Sequence, residues 1–189
     1  MKVALISTQQ LTSTVYTFTL QPDQAISWQA GQYLRYHLTH SSPDERGENR
    51  FFTISSAPYE KFLQITTRIN STSSSFKKKL LMLQKGDTFE AFGPNGTFTL
   101  EDPAKHYVFI AGGIGITPFR SIIQDLDHRK LPINITLLYA NRNEEIVFQK
   151  ELAEIATRHP EFTIQYFIGE NQLDINSLQS LNSIPHPPN

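Results

Sequence analysis

The stretch AGGIGITPF, residues 111–119, joins an apolar run to an amphipathic segment and decides how the second half of the chain folds. It reads G-x-G-x-x-P where a dinucleotide-binding loop has G-x-G-x-x-G. Gly112, Gly113 and Gly115 allow a tight turn and let backbone N–H groups approach a pyrophosphate, so we predict that they bind a dinucleotide. Because glycine also suits any corner between a strand and a helix, the stretch alone is weak evidence.

The segments around this stretch alternate between apolar and amphipathic runs. The apolar runs cover residues 106–111, 133–140 and 162–168, and the amphipathic runs cover 118–128 and 144–159. This order predicts parallel strands covered by helices, a sheet that binds ligands at the carboxyl ends of its strands. The glycine stretch lies at such an end, with Thr117 predicted as the helix N-cap and Pro118 as the first helical residue.

In the first half of the chain, the apolar residues recur with a different period. Apolar and polar residues alternate in short runs bounded by turn signals, as at Tyr16, Phe18 and Leu20. Five or six such strands predict a small antiparallel β-barrel, interrupted by one helix at about residues 75–84. The chain is therefore expected to form two domains, a barrel over residues 1–101 and a Rossmann-like α/β domain over residues 102–189.

The composition limits the classes of function. The 189 residues carry a formal net charge of -1, which gives no electrostatic footprint for nucleic acid. Without cysteine, the chain has no disulfide scaffold, Cys-ligated iron–sulfur cluster or catalytic thiol. The histidines lack metal-ligand spacing, so we predict no metal site. No apolar stretch could span a bilayer and the N-terminus is unlike a signal peptide, so we expect a cytoplasmic protein that does not span a membrane.

A second informative stretch, RFFTISSAP, covers residues 50–58. Arg50 offers a fixed fork to a phosphate, Phe52 a flat apolar face and Thr53 a small hydroxyl beside that face. An isoalloxazine ring needs stacking on one side and a hydrogen bond near N5, the atom through which hydride passes. The stretch therefore favours a flavin site.

Five motifs in this order resemble the ferredoxin–NAD(P) reductase family, in which a flavin-binding β-barrel precedes a Rossmann-like NAD(P) domain. They are Gly31-Gln32-Tyr33, RFFT at 50–53, SSFKKKLLMLQKGD at 74–87, GPNGTF at 93–98 and GGIGITP at 112–118. The resemblance covers nearly all of the chain. It departs from the family at Phe52, where a tyrosine is more frequent, and at the C-terminus.

The resemblance implies an FAD-binding domain over 1–101, an NAD(P)-binding domain over 102–189 and NADH or NADPH as the electron donor. The flavin-side residues implied are Arg50, Phe51, Phe52, Thr53, Thr66, Thr67, Ser73, Ser74, Ser75 and Lys77. Among them, Arg50 and the serines would hold the pyrophosphate, with Lys77 facing phosphate. Phe52 would pack on the flavin, the two threonines 66 and 67 would follow the ribityl chain, and Thr53 would be the catalytic residue that hydrogen-bonds near N5.

The segment after the second parallel strand leaves the choice of donor open. Asn141 and Arg142 are expected to contact the adenosine part of the dinucleotide. Arg142 facing a 2′-phosphate would favour NADPH, whereas Glu144 or Glu145 accepting ribose hydroxyls would favour NADH.

The C-terminal sequence bears on the activity. The family continues after a helix like LDINSLQSL into a further strand and a C-G-P-x-M type segment, whereas this sequence reads IPHPPN, so we expect a C-terminally truncated second domain. The function implied is hydride transfer from NAD(P)H to FAD and then single electrons to a separate acceptor, such as a ferredoxin, another iron–sulfur or haem protein, a quinone or a membrane component. The alternative is a truncated flavin-binding electron-transfer module without NAD(P)H turnover of its own.

Overall fold

The computed structural model describes residues 1–169, which form two β-sheets connected by residues 96–106. The predicted helix at LDINSLQSL, the segment IPHPPN and the expected truncation of the second domain lie outside the described residues. The exact division at residue 102 stays a prediction. Within residues 1–169, no helix combines the length and the apolarity needed to cross a bilayer.

The first sheet has six antiparallel strands in the order β4-β3-β6-β1-β2-β5. The strands are β1 (Lys2–Gln10), β2 (Val15–Pro22), β3 (Tyr33–His37), β4 (Asn49–Thr53), β5 (Leu63–Arg68) and β6 (Thr88–Asn95). Alternate residues such as Leu5, Phe18 and Ile65 are fully or almost fully buried in one core, as the period of two requires. This is the barrel-like domain predicted from the sequence.

The outer strands β4 and β5 come together at one end of the barrel. Immediately after β4, the amide of Ser55 donates to the carbonyl of Gln64 on β5 at 2.9 Å. The remaining lengths of β4 and β5 are not paired with each other in the sheet order, so the barrel stays open there. The opening faces helix α1 (Ser75–Leu81), whose Phe76 and Leu80 are buried in the barrel core.

The second sheet is parallel, in the order β7-β8-β9, as the apolar runs predict. Its strands are β7 (Tyr107–Gly112), β8 (Ile135–Asn141) and β9 (Thr163–Ile168), joined through helices α2 (Thr117–His128) and α3 (Gln149–Arg158). Ile122, Ile123 and Leu126 recur at helical spacing on α2 and are buried in the same core as Leu137 of β8. The fold class predicted from the sequence is confirmed.

The start of α2 differs from the prediction. Thr117 is not the N-cap but the first helical residue, with φ −55° and ψ −45°, and the N-cap is Ile116, whose side chain makes no capping hydrogen bond. The reason is a 3₁₀ turn over Gly113–Ile116, which brings the chain into helical geometry four residues earlier. Pro118 accordingly stands at the second helical position.

Two other helix boundaries also differ. Helix α1 ends at Leu81 rather than near 84, and Gly86 follows with a positive φ of 95°. Helix α3 begins at Gln149 rather than at 144, because Phe148 has φ +62°, a left-handed conformation that a right-handed helix cannot include. At the starts of α2 and α3 the boundary is set by backbone conformation, which hydrophobic periodicity does not encode.

The two sheets are joined by a buried ion pair network around Arg120 of α2. Its Nη1 lies 2.6 Å from Oε2 of Glu60 and donates at 2.8 Å to the carbonyl of Ser55, and both groups belong to the barrel side. Its Nε lies 2.7 Å from Oε1 of Glu151 on α3. Arg120 is 6% exposed, so a single buried guanidinium connects the barrel with two helices of the α/β unit.

A second set of contacts reinforces the same interface. The carbonyl of Ser56 accepts hydrogen bonds from Ser121 Oγ of α2 at 2.7 Å and from the indole N–H of Trp28 at 3.4 Å. Tyr59 donates to Oε1 of Gln124 at 2.8 Å, and its ring stacks on His128 with a centroid distance of 3.9 Å. These bonds keep α2 in one position against the barrel.

We expect Arg120→Ala to destabilise the protein by about 3 kcal/mol, because it leaves two carboxylates facing each other at a buried interface. Arg129→Ala is the matched control. Arg129 lies on the same helix and pairs with Asp125, but its side chain is 59% exposed, so its loss should change the stability by less than about 0.5 kcal/mol. Urea unfolding followed by circular dichroism measures both, and equal effects of the two substitutions would contradict the structural role of Arg120.

Candidate functional site

A cavity of about 590 Å³ lies at the opening of the barrel, between β4, β5, the segment before α1 and the start of α2. Predicted site residues that line it are Arg50, Phe51, Phe52, Thr53, Thr66, Thr67, Ser73, Ser74, Lys77 and Thr117. Residues of the barrel and of the α/β unit therefore meet at one cavity. The remaining lining residues, Arg46, Arg68, Asn70, Thr72 and Ile114, were not singled out from the sequence.

The other predicted residues lie outside the lining of this cavity. These are Ser75, Gly112, Gly113, Gly115, Pro118, Asn141 and Arg142. All but Ser75 lie at the carboxyl ends of β7 and β8 or at the start of α2, on the dinucleotide side of the prediction. With two exceptions, Thr117 inside the lining and Ser75 outside it, the predicted flavin-side residues line the cavity and the predicted dinucleotide-side residues lie beyond it.

Aromatic and aliphatic side chains form the apolar part of the cavity. Phe52 is partly buried and packs on Phe76 and Tyr36, with ring centroids 5.8 Å and 6.1 Å away. Phe51 is 64% exposed and makes an edge contact with Tyr33. Ile114 of the glycine turn completes the apolar surface from the α/β side. These groups can contact a flat ring on two sides.

Hydroxyl groups of β4 and β5 line the same cavity. Thr53 is the last residue of β4 and is half-buried. Thr66 is buried, and its Oγ1 lies 2.8 Å from the hydroxyls of both Thr17 and Ser55. That hydroxyl is therefore held inside the barrel, whereas Thr53 lines the cavity at the end of β4.

Four cationic side chains give the cavity its charge: Arg46, Arg50, Arg68 and Lys77. Lys77 Nζ donates to the carbonyl of Arg68 at 3.1 Å. Burial lowers the pKa of Lys77, and the charges of the three arginines lower it further. Mutual repulsion among these cations means that an anion in the cavity would be strongly favoured.

Arg50 is held by its own side of the barrel. Its Nη1 donates to the carbonyls of Arg46, Gly47 and Asn49 at 2.6 to 3.0 Å, and its Nη2 lies 2.5 Å from Oδ1 of Asp44. The Nε atom is buried without a hydrogen-bond partner. Arg50, which was predicted to bind phosphate, thus lines the cavity, but most of its guanidinium N–H groups already have partners within the protein.

The lining of the cavity fits a flavin dinucleotide. It combines an apolar surface for a ring, hydroxyl groups along β4 and β5, and cations for a pyrophosphate, as well as the unpartnered Nε of Arg50. Arg50, Lys77 and the serines before α1 would hold the phosphates, and Phe52 and Thr53 would contact the ring. The part of the chain that the structure describes holds no group of three acidic or histidine side chains able to bind a metal ion.

Tyr139 of β8 fixes the glycine turn at the end of β7. Its hydroxyl lies 3.1 Å from the carbonyl oxygen of Gly113 and 3.2 Å from that of Val147, so these two acceptors share its single hydrogen. Burial raises the pKa of Tyr139 well above its usual value, so the phenol stays protonated as a donor. A Cβ on Gly113, whose φ is +48°, would lie 3.6 Å from Arg68 Nη2, so the turn and the barrel cation are neighbours.

Open space lies in front of two other glycines of the turn. A Cβ built on Gly112 or Gly115 would meet nothing within 4 Å. At the end of β8, Nδ2 of Asn141 is buried without a hydrogen-bond partner, and Arg142 is exposed. This edge of the sheet can accept a ligand without displacing packed side chains.

Glu145, one of the candidate ribose acceptors, is already engaged. Its Oε1 accepts from the amide of Ser13 at 3.1 Å, and its Oε2 forms a short hydrogen bond with the Ser13 hydroxyl. The hydrogen bonds from Ser13 lower the pKa of Glu145. Since this contact joins the β1–β2 turn to the α/β unit, Glu145 is occupied by the domain interface rather than free for a ribose.

Sequence reasoning missed Arg46, Arg68 and Tyr139. Arg68 ends a period-two strand, and a cation that directly follows the two predicted threonines was a usable signal. Tyr139 is the single aromatic residue in the apolar run ITLLYA, and a buried hydroxyl there requires a partner. Arg46 lies in an irregular loop, where no pattern marks it.

Comparison with known proteins supports the same assignment. Residues 109–180 match the oxidoreductase NAD-binding domain family. The chain is 31% identical over 149 residues to reductase component 2 of terephthalate 1,2-dioxygenase from a Comamonas species, covering 71% of this chain and 42% of that protein. It is 33% identical over 158 residues to DmpP, the reductase component of phenol 2-monooxygenase from Pseudomonas sp. strain CF600, covering 81% and 43%. The chain therefore spans about two fifths of these relatives.

Solved structures share the fold. The flavohaem-like FAD/NAD-binding domain of nitric oxide dioxygenase from Vibrio cholerae matches with a TM-score of 0.77 and 22% identity, over 92% of this chain and 80% of that chain. Ferredoxin-NADP⁺ reductase from Plasmodium falciparum matches with a TM-score of 0.77 and 21% identity, over 88% and 69%.

A barrel with a cation-rich cavity, followed by a parallel α/β unit, defines the class of FAD- and NAD(P)-binding oxidoreductases. The chain belongs to the ferredoxin–NAD(P) reductase family.

Inorganic pyrophosphate tests the anion site without a flavin. We expect pyrophosphate to raise the Tm of the protein, and Lys77→Met to weaken its binding about tenfold, since one charge-assisted contact is lost. Lys78→Met is the control, because Lys78 lies on the same helix but is exposed and outside the cavity. Calorimetric titration gives the dissociation constants. Equal affinities of the two variants would contradict an anion site at Lys77.

Proposed function

We propose that the chain binds FAD in the cavity, accepts hydride from NADH or NADPH and passes electrons to a separate acceptor. The observation that carries this proposal is that the barrel and the α/β unit line one cavity. Thr53 and Phe52 come from the barrel, whereas Ile114 and Thr117 come from the segment next to the glycine turn. A ring bound by the barrel would therefore lie beside a nicotinamide held by the turn.

The residues of the chain have separate roles in this proposal. When bound, the flavin supplies the hydride and single-electron chemistry. Thr53 would donate a hydrogen bond to the edge of the ring near N5, and Phe52 and Ile114 would exclude water from its faces. Lys77 and the hydroxyls before α1 neutralise and orient the phosphates. Gly112, Gly113 and Gly115 present the backbone to the pyrophosphate of the nicotinamide dinucleotide, with Tyr139 holding the turn.

The electron acceptor is proposed to be a separate protein or component. The printed names of two relatives describe reductase components of oxygenases, and that of a third, from Dictyostelium discoideum, describes an NADH-cytochrome b5 reductase. Since these 189 residues contain no cysteine, a Cys-ligated cluster would have to lie outside them. We propose a ferredoxin, another iron–sulfur or haem protein, a quinone or a membrane component in this role. We also propose a cytoplasmic location, where nicotinamide dinucleotides act as reductants.

The reductase reaction is tested by anaerobic titration of FAD-reconstituted protein with NADH and, separately, with NADPH. We expect the flavin absorbance band to bleach near one equivalent of the effective donor. Thr53→Ala should retain FAD but slow the bleaching about tenfold, because it loses one hydrogen bond of about 1.4 kcal/mol at the reacting edge. Thr8→Ala, an exposed threonine of β1, is the matched control.

One outcome of that titration would contradict the proposal. A bound flavin that dithionite reduces, but that neither nucleotide bleaches, would overturn the reductase proposal. It would leave the second function considered, a flavin-binding module without NAD(P)H turnover of its own.

Donor choice is tested at the end of β8. We propose that Arg142, which is exposed beside Asn141, faces the adenosine ribose. Arg142→Ala should then raise KM for NADPH about tenfold and leave KM for NADH nearly unchanged, because only NADPH carries a 2′-phosphate. Steady-state kinetics with a small-molecule acceptor measures both constants. Equal effects on the two donors would place Arg142 away from the ribose.

A further inference from the structure

The loop between β3 and β4 places a carboxylate on the main cation of the flavin cavity. Oδ1 of Asp44 lies 2.5 Å from Nη2 of Arg50 and accepts the amide of Arg46 at 3.0 Å. Its Oδ2 accepts the amide of Ser75, the first residue of α1, at 3.1 Å. The carboxylate thus bridges Arg50, which lines the cavity, and the start of α1, next to Ser73 and Ser74, the serines proposed to bind the FAD pyrophosphate.

The loop is held in this position by contacts other than the ion pair. The amide of Asp44 donates to the hydroxyl of Ser75 at 2.9 Å, and Nε2 of His40 lies 2.9 Å from the same hydroxyl. Nδ1 of His40 lies 2.7 Å from the carbonyl of Leu38, and its amide donates to Glu48 at 3.1 Å. The position of Asp44 is therefore built into the loop.

The charge on Asp44 persists under ordinary conditions. Burial alone would raise its pKa, but hydrogen bonds from Arg50, Ser75 and Arg46 outweigh that effect and lower the pKa to about 2. The carboxylate is ionised at any pH at which a flavoprotein is handled.

Arg50 has little capacity for a second anion while Asp44 is bound. Its Nη1 donates to three carbonyl groups and its Nη2 to Asp44, so Nε alone is without a partner. Both Nη1 hydrogens are taken by carbonyl groups, so a phosphate that contacts Nη2 must compete with the Asp44 carboxylate for that nitrogen and its charge.

We propose that Asp44 is an internal competitor for the phosphate groups of the flavin, and that it sets the affinity of the cavity for FAD. In the free protein Asp44 occupies Arg50, and binding of the dinucleotide displaces it. The more highly charged pyrophosphate outcompetes one carboxylate, but the free energy of breaking the internal pair is subtracted from the binding. This inference rests on the proposed binding of FAD.

The test compares FAD affinities of the apoprotein, measured by quenching of flavin fluorescence. Asp44→Asn keeps the size of the side chain but removes its charge, and we expect it to tighten FAD binding about tenfold. Asp44→Ser is expected to act in the same direction. Glu45→Gln is the control, because it removes the same charge from an exposed neighbour in the same loop and should leave the affinity unchanged.

Each outcome has a distinct meaning. Unchanged or weaker FAD binding in both Asp44 variants, with the wild type binding FAD, would overturn the inference and leave the proposed function intact, since Asp44 would then serve to orient Arg50. Equal tightening by Glu45→Gln would also overturn it, because the effect would be one of general loop charge. Failure of wild type and variants alike to bind FAD would overturn the proposed function together with the inference.

Discussion

The position of α2 against the barrel is the constraint on which the candidate site depends. The cavity is lined from one side by β4 and β5 and from the other by Ile114 and Thr117, which precede and begin that helix. Arg120 lies one turn further along and binds barrel groups on one side and α3 on the other. Its burial makes the arrangement costly to break, because removing its partners would leave the buried guanidinium unpaired. The distance between the two sides of the site is therefore set by a residue that does not line it.

The architecture could be predicted from the sequence because each half of the chain has one characteristic pattern of apolar residues. The alternation at Tyr16, Phe18 and Leu20 describes a barrel strand, and the apolar run ITLLYA describes a buried parallel strand, and each signal is local. The start of α2 could not be predicted in the same way, since the 3₁₀ turn over Gly113–Ile116 depends on backbone angles rather than on hydrophobicity. Many of the flavin-side residues predicted from RFFT and the serine segment meet in one cavity, yet Asp44 could not be anticipated. Its meeting with Arg50 depends on how an irregular loop folds.

The cavity must concentrate cations to bind a dinucleotide and must also limit the repulsion among those cations in the free protein. Cations without a ligand repel one another: burial is the main cause of the lowered pKa of Lys77, and the three nearby arginines lower it further. The ion pair of Asp44 with Arg50 relieves part of that repulsion in the free protein. Similarly, the carboxylate of Glu145, near the predicted dinucleotide site, accepts a hydrogen bond from Ser13 and so attaches the α/β unit to the barrel. Acidic side chains thus stabilise the free protein at two positions. A bound phosphate would compete with one of them and would lie near the other.

The hydrogen bonds to the carbonyl of Ser56 allow the domain interface to be followed by tryptophan fluorescence. It accepts from both Ser121 of α2 and the indole of Trp28, the only tryptophan in the sequence. Any separation of α2 from the barrel would change the polarity and hydrogen bonding around that indole, whose emission is sensitive to both. The chain therefore contains a native fluorophore at the domain interface, and the emission spectrum can report hinge opening in real time without a label.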